Sequence, residues 1–201
     1  MNNLFLEDVN NTFKYQLLES GQDSKNFYIR GVVSKAGALN KNKRIYPMEV
    51  MREAISSLQE EVRTGGFVGE LSHPSTPAIN LDKISHKITK IDMADDGSVL
   101  AEMFILNTTM GRELKELIRG GVKLGVSTRA TGGVKPCSSL GEGVVEVQKG
   151  LKIKAIDVVF DPSAGEYGRP DFVVESLTES NILLGYEGSK FESVWNDVFD
   201  K

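Results

Sequence analysis

Residues that build crosslinks and metal clusters are scarce in this chain. It contains one cysteine and two histidines among 201 residues. The single cysteine, Cys137, excludes an internal disulfide and a cysteine-based zinc cluster, and it fits a reducing compartment. Cys137 lies in a loop rich in proline and serine, so no strand or helix would position it as a nucleophile. We therefore expect chemistry at other side chains.

Long apolar runs and an excess of positive charge are also lacking. No apolar run approaches the length of a membrane span, and residues 1–4 lack the basic and apolar regions of a signal peptide. We therefore expect neither a transmembrane segment nor a signal peptide. The net charge is −4 and the isoelectric point about 5.4, which disfavours binding to free nucleic acid. The short basic stretch 40–44 indicates a solvated loop.

The pattern of apolar residues predicts an α+β domain. Helical spacing follows Pro47 and stops at Gly65, and a second, short helix is predicted at 111–119. The Asp96-Gly97 pair predicts a hairpin between strands 84–93 and 98–106. Further strands are predicted at 28–33, 122–130, 144–147 and 151–160. Strands that do not alternate strictly with helices argue against a doubly wound parallel sheet.

Composition divides the chain into three segments. Residues 1–26 are polar with little periodicity, which predicts a loosely held, flexible N-terminal arm. Residues 27–176 contain the predicted strands and helices and form the expected main domain. Residues 177–201 form an acidic tail with scattered apolar residues.

The strand at 122–130 places a serine beside an arginine. Side chains alternate between the faces of a strand, so Ser127 and Arg129 share one face with Lys123. A guanidinium in that position could stabilise an oxyanion. The simpler interpretation is a half-exposed strand with ordinary polar residues on its wet side.

Asp157 is an ionisable group in an apolar row. Leu151, Ile153, Ala155 and Val159 share its face of the predicted strand. A buried carboxylate is costly without a partner. Holding an imidazole N–H would satisfy it and would fix the tautomer that a general base needs. Capping a turn or pairing with a lysine would satisfy it equally well.

The two histidines differ in their surroundings. His73 precedes Pro74, which restricts its backbone to extended geometry and could aim the side chain. His86 alternates with isoleucines, which is typical of a core histidine. A metal site could be drawn from Glu70, His73, Asp82 and His86, but their spacing is not that of typical zinc sites.

Four motifs together resemble the prohead core proteases of T-even-type tailed phages. They are NKRIYP (42–47), GELSHP (69–74), GVSTR (125–129) and VVFDPSA (158–164). The resemblance covers about residues 28–175. It implies a serine protease of the clan of the herpesvirus assemblins, with a β-barrel-like core surrounded by helices.

The resemblance also implies the roles of individual residues. His73 would be the general base, Ser127 the nucleophile and Arg129 the oxyanion helper. The third catalytic member would be Asp157, in agreement with its place in an apolar row. His86, by analogy with the second histidine of the herpesvirus enzymes, and Asp161 are the alternatives.

The family activity implies procapsid maturation by cleavage after glutamate, at sites resembling Leu/Ile-x-Glu. Such sites end at Glu19 and Glu179, in the two terminal segments, which predicts self-processing that removes both. A third, ending at Glu60, lies in the predicted helix, where a protease could not extend it. The glutamate would be read by Lys123, by Arg129 or by the basic stretch 41–44.

The expected partners are scaffold-core and major capsid proteins as substrates, with self-association into a dimer or ring. The expected location is the procapsid scaffold core in the host cytoplasm. No cofactor, metal, nucleic acid or membrane partner is expected. The alternatives are an inactive capsid or scaffold protein of the same fold, a metal-dependent hydrolase using Glu70, His73 and His86, and a DNA-binding capsid component, which the acidic balance disfavours.

Overall fold

The computed structural model describes most of the domain predicted at 27–176 and parts of both terminal segments. The described residues are 4–10, 15–19, 27–40, 42–72, 74, 76–122, 124–159 and 188–199. His73, Lys123, Asp161 and Glu179 lie outside them.

The described elements are strands and helices in mixed order. The strands are β1 (Leu4–Asn10), β2 (Tyr15–Glu19), β3 (Phe27–Lys35), β4 (Arg44–Ile45), β5 (Val68–Glu70), β6 (Ile84–Met93), β7 (Ser98–Ile105), β8 (Gly125–Gly132), β9 (Val134–Pro136), β10 (Val145–Val147) and β11 (Lys152–Val159). The helices are α1 (Met48–Arg63), α2 (Thr109–Arg119) and α3 (Gly188–Phe199). This confirms a mixed class of strands and helices.

The described strands form three sheets and no closed barrel. One sheet has the order β2-β3-β7-β6-β5, the second β1-β8-β11 and the third β4-β10-β9. The first two sheets meet where β5 ends beside β11: Leu71 forms a parallel bridge to Val158, and the Ser72 amide donates to the Val158 carbonyl at 2.8 Å. The end of β5 is therefore tied to the strand that carries Asp157.

The helix predicted after Pro47 is confirmed as α1. Its apolar residues recur every three or four positions and are buried: Val50, Met51, Ala54, Ile55, Leu58 and Val62. The helix stops before Gly65, whose φ of 75° is the left-handed conformation that glycine adopts without strain. The second predicted helix is confirmed as α2, which the Thr108 hydroxyl caps by accepting from the Gly111 amide at 3.0 Å.

The predicted hairpin is also confirmed. β6 and β7 pair antiparallel, and Gly97 in the turn has a φ of 86°. The Ala94 amide donates to the Ser98 carbonyl at 2.8 Å and closes the turn.

The N-terminal segment contains two strands that its polar composition did not predict. β1 pairs antiparallel with β8, and β2 pairs antiparallel with β3. Residues 4–10 and 15–19 are therefore held in sheets. Low periodicity gave no signal for them because strand pairing is made by the backbone, whatever the side chains.

The C-terminal segment contains α3. Trp195 is buried against Ala94 and Leu100, and the Arg30 guanidinium lies 4.5 Å from its ring centroid. None of the helices in the described part of the chain combines the length and hydropathy that a bilayer-spanning helix requires.

Candidate active site

Ser127 and Asp157 are direct neighbours across two strands. β8 and β11 run antiparallel, and their register sets Ser127 opposite Asp157. Directly opposed residues have their side chains on the same face of the sheet, with Cβ atoms roughly 5 Å apart. The fold therefore brings together two of the residues for which a catalytic role was predicted.

Both side chains are buried. Ser127 is 1 % exposed and Asp157 is 0 % exposed. The expectation that this face of the strand is half-exposed and wet is wrong. β8 is the middle strand of its sheet, with β1 on one edge and β11 on the other, and Val9 of β1 lies opposite Ser127.

His73 itself lies outside the described residues, but the chain just before it is placed. Ser72 is exposed, has a φ of 75° and is hydrogen-bonded to the Val158 carbonyl, one residue after Asp157. A non-glycine residue in this region of φ is uncommon and costs about 1 kcal/mol or more. The route to His73 thus starts beside Asp157, while the distance from His73 to Ser127 stays a prediction.

Asp157 has the partners that its burial requires. Its Oδ1 accepts hydrogen bonds from the Glu70 amide at 2.9 Å and from Arg129 Nη2 at 3.0 Å. Arg129 Nε lies 2.6 Å from Oδ2, a charge contact whose angle is too bent for a hydrogen bond. The buried carboxylate is therefore paired with a cation and a backbone donor.

Arg129 is fully buried and its terminal nitrogens are engaged. Nη1 donates to the carbonyls of Thr76 at 3.2 Å and Ala78 at 2.9 Å. Nη2 donates to Glu70 Oε1 and to Asp157, each at 3.0 Å. Four N–H groups thus already point at protein oxygens. This argues against a direct oxyanion role, and against reading the substrate glutamate, and both roles stay predictions.

His86 is a satisfied core residue. Its Nε2 lies 2.9 Å from the Ile156 carbonyl oxygen, and its Nδ1 lies 2.9 Å from the Ser85 hydroxyl. Because a carbonyl only accepts, Nε2 carries the proton and Nδ1 accepts from Ser85. Burial lowers the pKa of His86 from 6.5 to about 4, so the ring is neutral at pH 7. With both nitrogens occupied, His86 is a poorer third member than Asp157.

Of the residues drawn into a metal site, those that the structure describes have other partners or are exposed. Glu70 is bonded to Arg129, His86 is bonded to Ser85 and Ile156, and Asp82 is exposed. Within the residues that the structure describes, no three histidine, cysteine or carboxylate side chains are placed to share an ion.

Glu70 has a part in the site that the sequence patterns did not reveal. It is 1 % exposed, and its Oε1 accepts from Arg129 and from the Asn80 amide at 2.8 Å. In the sequence, the feature that pointed to Glu70 was its position inside the GELSHP motif. Its pairing with Arg129, 59 positions away in the sequence, could not be predicted from either segment alone.

The other candidates for reading a substrate glutamate are only partly placed. Lys43 is exposed and donates to the Glu142 carbonyl at 3.2 Å, and Arg44 lies half-buried in β4. Lys41 and Lys123 lie outside the described residues. None of them is brought to Ser127 by a described contact.

A buried serine and aspartate on adjacent strands, beside the start of the loop that leads to His73, form the candidate site. A family model described as prohead core protein serine protease matches residues 13–181. The chain belongs to this family, and the protein is a protease. The resemblance carried by the four motifs is thereby confirmed.

A sequence match and a structure match, both to a phage T4 protease, show the same relationship. The chain is 32 % identical over 157 residues to the prohead core protein protease of Enterobacteria phage T4, covering 75 % of this chain and 72 % of the relative. The solved structure of the bacteriophage T4 capsid assembly protease matches with a TM-score of 0.71 at 22 % identity, covering 80 % of this chain and 100 % of that one. At that identity the structural match shows the fold alone.

Proposed function

We propose that this protein is a serine endopeptidase in which Ser127 is the nucleophile, His73 the general base and Asp157 the residue that orients the imidazole. The cross-strand pairing of Ser127 with Asp157 is the observation that carries the proposal. The tie between Ser72 and Val158, which starts the His73 loop beside Asp157, supports it.

The proposed reaction is acyl transfer followed by hydrolysis. Ser127 Oγ attacks the carbonyl carbon of the scissile peptide while His73 takes the hydroxyl proton. His73 then gives that proton to the leaving amine, and the C–N bond breaks to leave an acyl-serine. Water, deprotonated by the same imidazole, releases the acid and restores the serine.

The proposed substrates are scaffold-core and major capsid proteins inside a phage procapsid in the host cytoplasm, cut after glutamate in Leu/Ile-x-Glu. The T4 matches, described as a prohead core protein protease and a capsid assembly protease, support the assembly context. Self-association into a dimer or ring belongs to the same proposal.

The enzyme is proposed to process itself after Glu19 and Glu179. Glu19 is the last residue of β2, an edge strand of its sheet, so the proposed cut follows the end of that strand. Removing residues 1–19 would also take β1 away from β8 and free the edge beside Ser127. Glu179 lies outside the described residues.

The fold is proposed to be that of the herpesvirus assemblins. The placement of the candidate nucleophile and its acidic neighbour on the paired strands β8 and β11 supports this. Superposition of an experimental structure on an assemblin, with the barrel strands matched one by one, tests it.

The deciding experiment compares wild type with Ser127→Ala on a peptide that contains one Leu-x-Glu site. We expect wild type to cut after the glutamate and S127A to be inactive. Ser56→Ala, an exposed serine on α1, is the matched control and should keep full activity. Cleavage by S127A at the wild-type rate would contradict the proposal.

The burial of Ser127 also favours a second candidate, an inactive scaffold protein of the same fold. Full-length wild type that neither cuts the peptide nor processes itself, and a chain starting at Ser20 that is folded yet inactive, would support this candidate. Activity that appears when the N-terminal segment is removed would support the protease.

A further inference from the structure

Three charged side chains are buried together where β5, β8 and β11 meet. Glu70 is 1 % exposed, and Arg129 and Asp157 are each 0 % exposed. Arg129 Nη2 donates to both carboxylates at 3.0 Å. Removing charges from water is costly unless further hydrogen bonds satisfy them, so the remaining partners of this cluster indicate what it stabilises.

Backbone groups of one loop are among those partners. Arg129 Nη1 donates to the carbonyls of Thr76 and Ala78, and Glu70 Oε1 accepts from the Asn80 amide. Thr76, Ala78 and Asn80 are exposed and belong to no helix or strand. Two buried side chains therefore hold the path of an exposed segment through its backbone.

The other end of the same loop is also held. The Leu71 amide donates to the Lys83 carbonyl at 3.1 Å, and the Ser72 amide donates to Val158 at 2.8 Å. In the sequence, His73 lies between these ties and those of Thr76 and Ala78. A displacement of the loop would move the proposed general base relative to Ser127.

We propose that Glu70 and Arg129 are positioning residues that set the path of the His73 loop. The inference rests on the proposed function of His73 as base. Arginine suits the role because its planar fork can donate to Asp157, Glu70 and two carbonyls at once, which the point charge of lysine cannot do. Glu70 links Arg129 to the loop, because its Oε1 accepts hydrogen bonds from both Arg129 and the Asn80 amide.

The test measures kcat and KM of Glu70→Gln and Arg129→Lys in the full chain, with a Leu-x-Glu peptide as substrate. A misplaced catalytic group costs about 10- to 100-fold in rate, so we expect kcat to fall by that factor while KM changes less than about twofold. Amide exchange at Asn80 should accelerate in E70Q, because that amide loses its charged acceptor.

Glu102→Gln is the matched control. Glu102 is 7 % exposed and pairs with Arg30 at 3.0 Å, so its loss also breaks a largely buried ion pair, away from the loop. Wild-type kcat in folded E70Q, or the same kcat loss in E102Q as in E70Q, would overturn the inference.

If neither variant folds, hydrogen exchange of the Asn80 amide in the wild-type chain tests the inference. An unprotected Asn80 amide would overturn the inference, and a protected one in an otherwise exposed loop would support it. Failure of the proposed function looks different: S127A would then match wild type, whatever the loop variants do.

Discussion

The imidazole of His86 donates a hydrogen bond to the carbonyl of Ile156, the residue directly before Asp157, at 2.9 Å. This bond joins β6 to β11 through the interior, and β5 passes between them. A Cβ at Gly69 would overlap both the Ile156 carbonyl oxygen and the His86 ring. Because the His86 ring is neutral and Gly69 has no side chain, β5, β6 and β11 can approach one another closely next to Asp157.

His86 should make the protein sensitive to mild acid. The unfolded chain takes up a proton on this imidazole near pH 6.5, whereas the folded chain keeps the ring neutral down to about pH 4. The unfolded state therefore binds more protons in this window, so stability is full above pH 6.5 and falls as the pH falls toward 4.

The expected loss is about 3 kcal/mol of unfolding free energy, from the shift between 6.5 and about 4. Urea unfolding at several pH values measures it. His86→Gln, which can keep the donor to Ile156 but does not titrate, should lose that part of the pH dependence. An equally steep acid loss in this variant would assign it to other groups.

Gly69→Ala should prevent normal packing of β5 against β6 and β11. The added methyl meets backbone on one side and a buried ring on the other, and neither can move freely. We expect a loss of about 3 kcal/mol or more in unfolding free energy, or failure to fold, seen by thermal melting.

Gly66→Ala is the matched glycine control. Its new methyl would lie no closer than 3.4 Å to any neighbour, the nearest being the flexible Glu61 side chain. Its melting temperature should stay within a few degrees of wild type. Equal effects of the two substitutions would contradict the close approach at Gly69.

Asp157→Asn should reduce both activity and stability. The neutral amide holds the proposed imidazole in the wrong tautomer, so we expect kcat to fall by roughly a thousandfold or more. The substitution also removes one of the two carboxylates paired with Arg129, which lowers the free energy of unfolding by about 3 kcal/mol. Peptide cleavage and urea unfolding check the two effects separately.

The exposed Asp95, in the β6–β7 turn, offers a control. Asp95→Asn should leave kcat unchanged. If D157N is folded and cleaves peptide at the wild-type rate, Asp157 is not the third catalytic member.

Self-processing predicts two specific cuts, after Glu19 and after Glu179. We expect the mass of active wild type to fall from 22.1 kDa to that of residues 20–179. Glu19→Gln and Glu179→Gln should each block one cut, because the substrate glutamate has lost its charge. Intact-mass spectrometry over a time course measures this.

Glu60→Gln tests the third matching site. Glu60 is confirmed to lie in the last turn of α1, where Arg63 Nη2 lies 2.6 Å from its carboxylate. A protease needs an extended substrate, so this substitution should leave the products unchanged. A fragment ending at Glu60 in folded wild type would show that helical structure does not protect the site.

The sequence pattern predicted the secondary structure correctly where residues close together in the sequence determine it. The spacing of apolar residues predicted α1, and Asp96-Gly97 predicted the hairpin. The demand of Asp157 for a partner was also predicted, since an ionisable group in an apolar row must be satisfied. Its described partners, Arg129 and the Glu70 amide, were not among those that the sequence suggested.

Three features escaped sequence reasoning for one shared reason. The strands β1 and β2 carry little periodicity, Arg129 lies on a face that looked wet, and Glu70 was considered only as a metal ligand. Each depends on a pairing between distant segments, such as β1 on β8 or Glu70 on Arg129. The spacing within one segment carries no information about such a pairing.

The sequence by itself determined the family, the positions of the main helices and the hairpin, and the short set of residues that could do chemistry. Only the tertiary structure decided which of them are buried together: Ser127 across from Asp157, and Arg129 between two carboxylates. Periodicity reports how one segment divides its faces, whereas burial depends on what other segments place over each face. The same polar strand face looks wet in the sequence and is dry in the structure, where Glu70 and the carbonyls of Thr76 and Ala78 lie against Arg129.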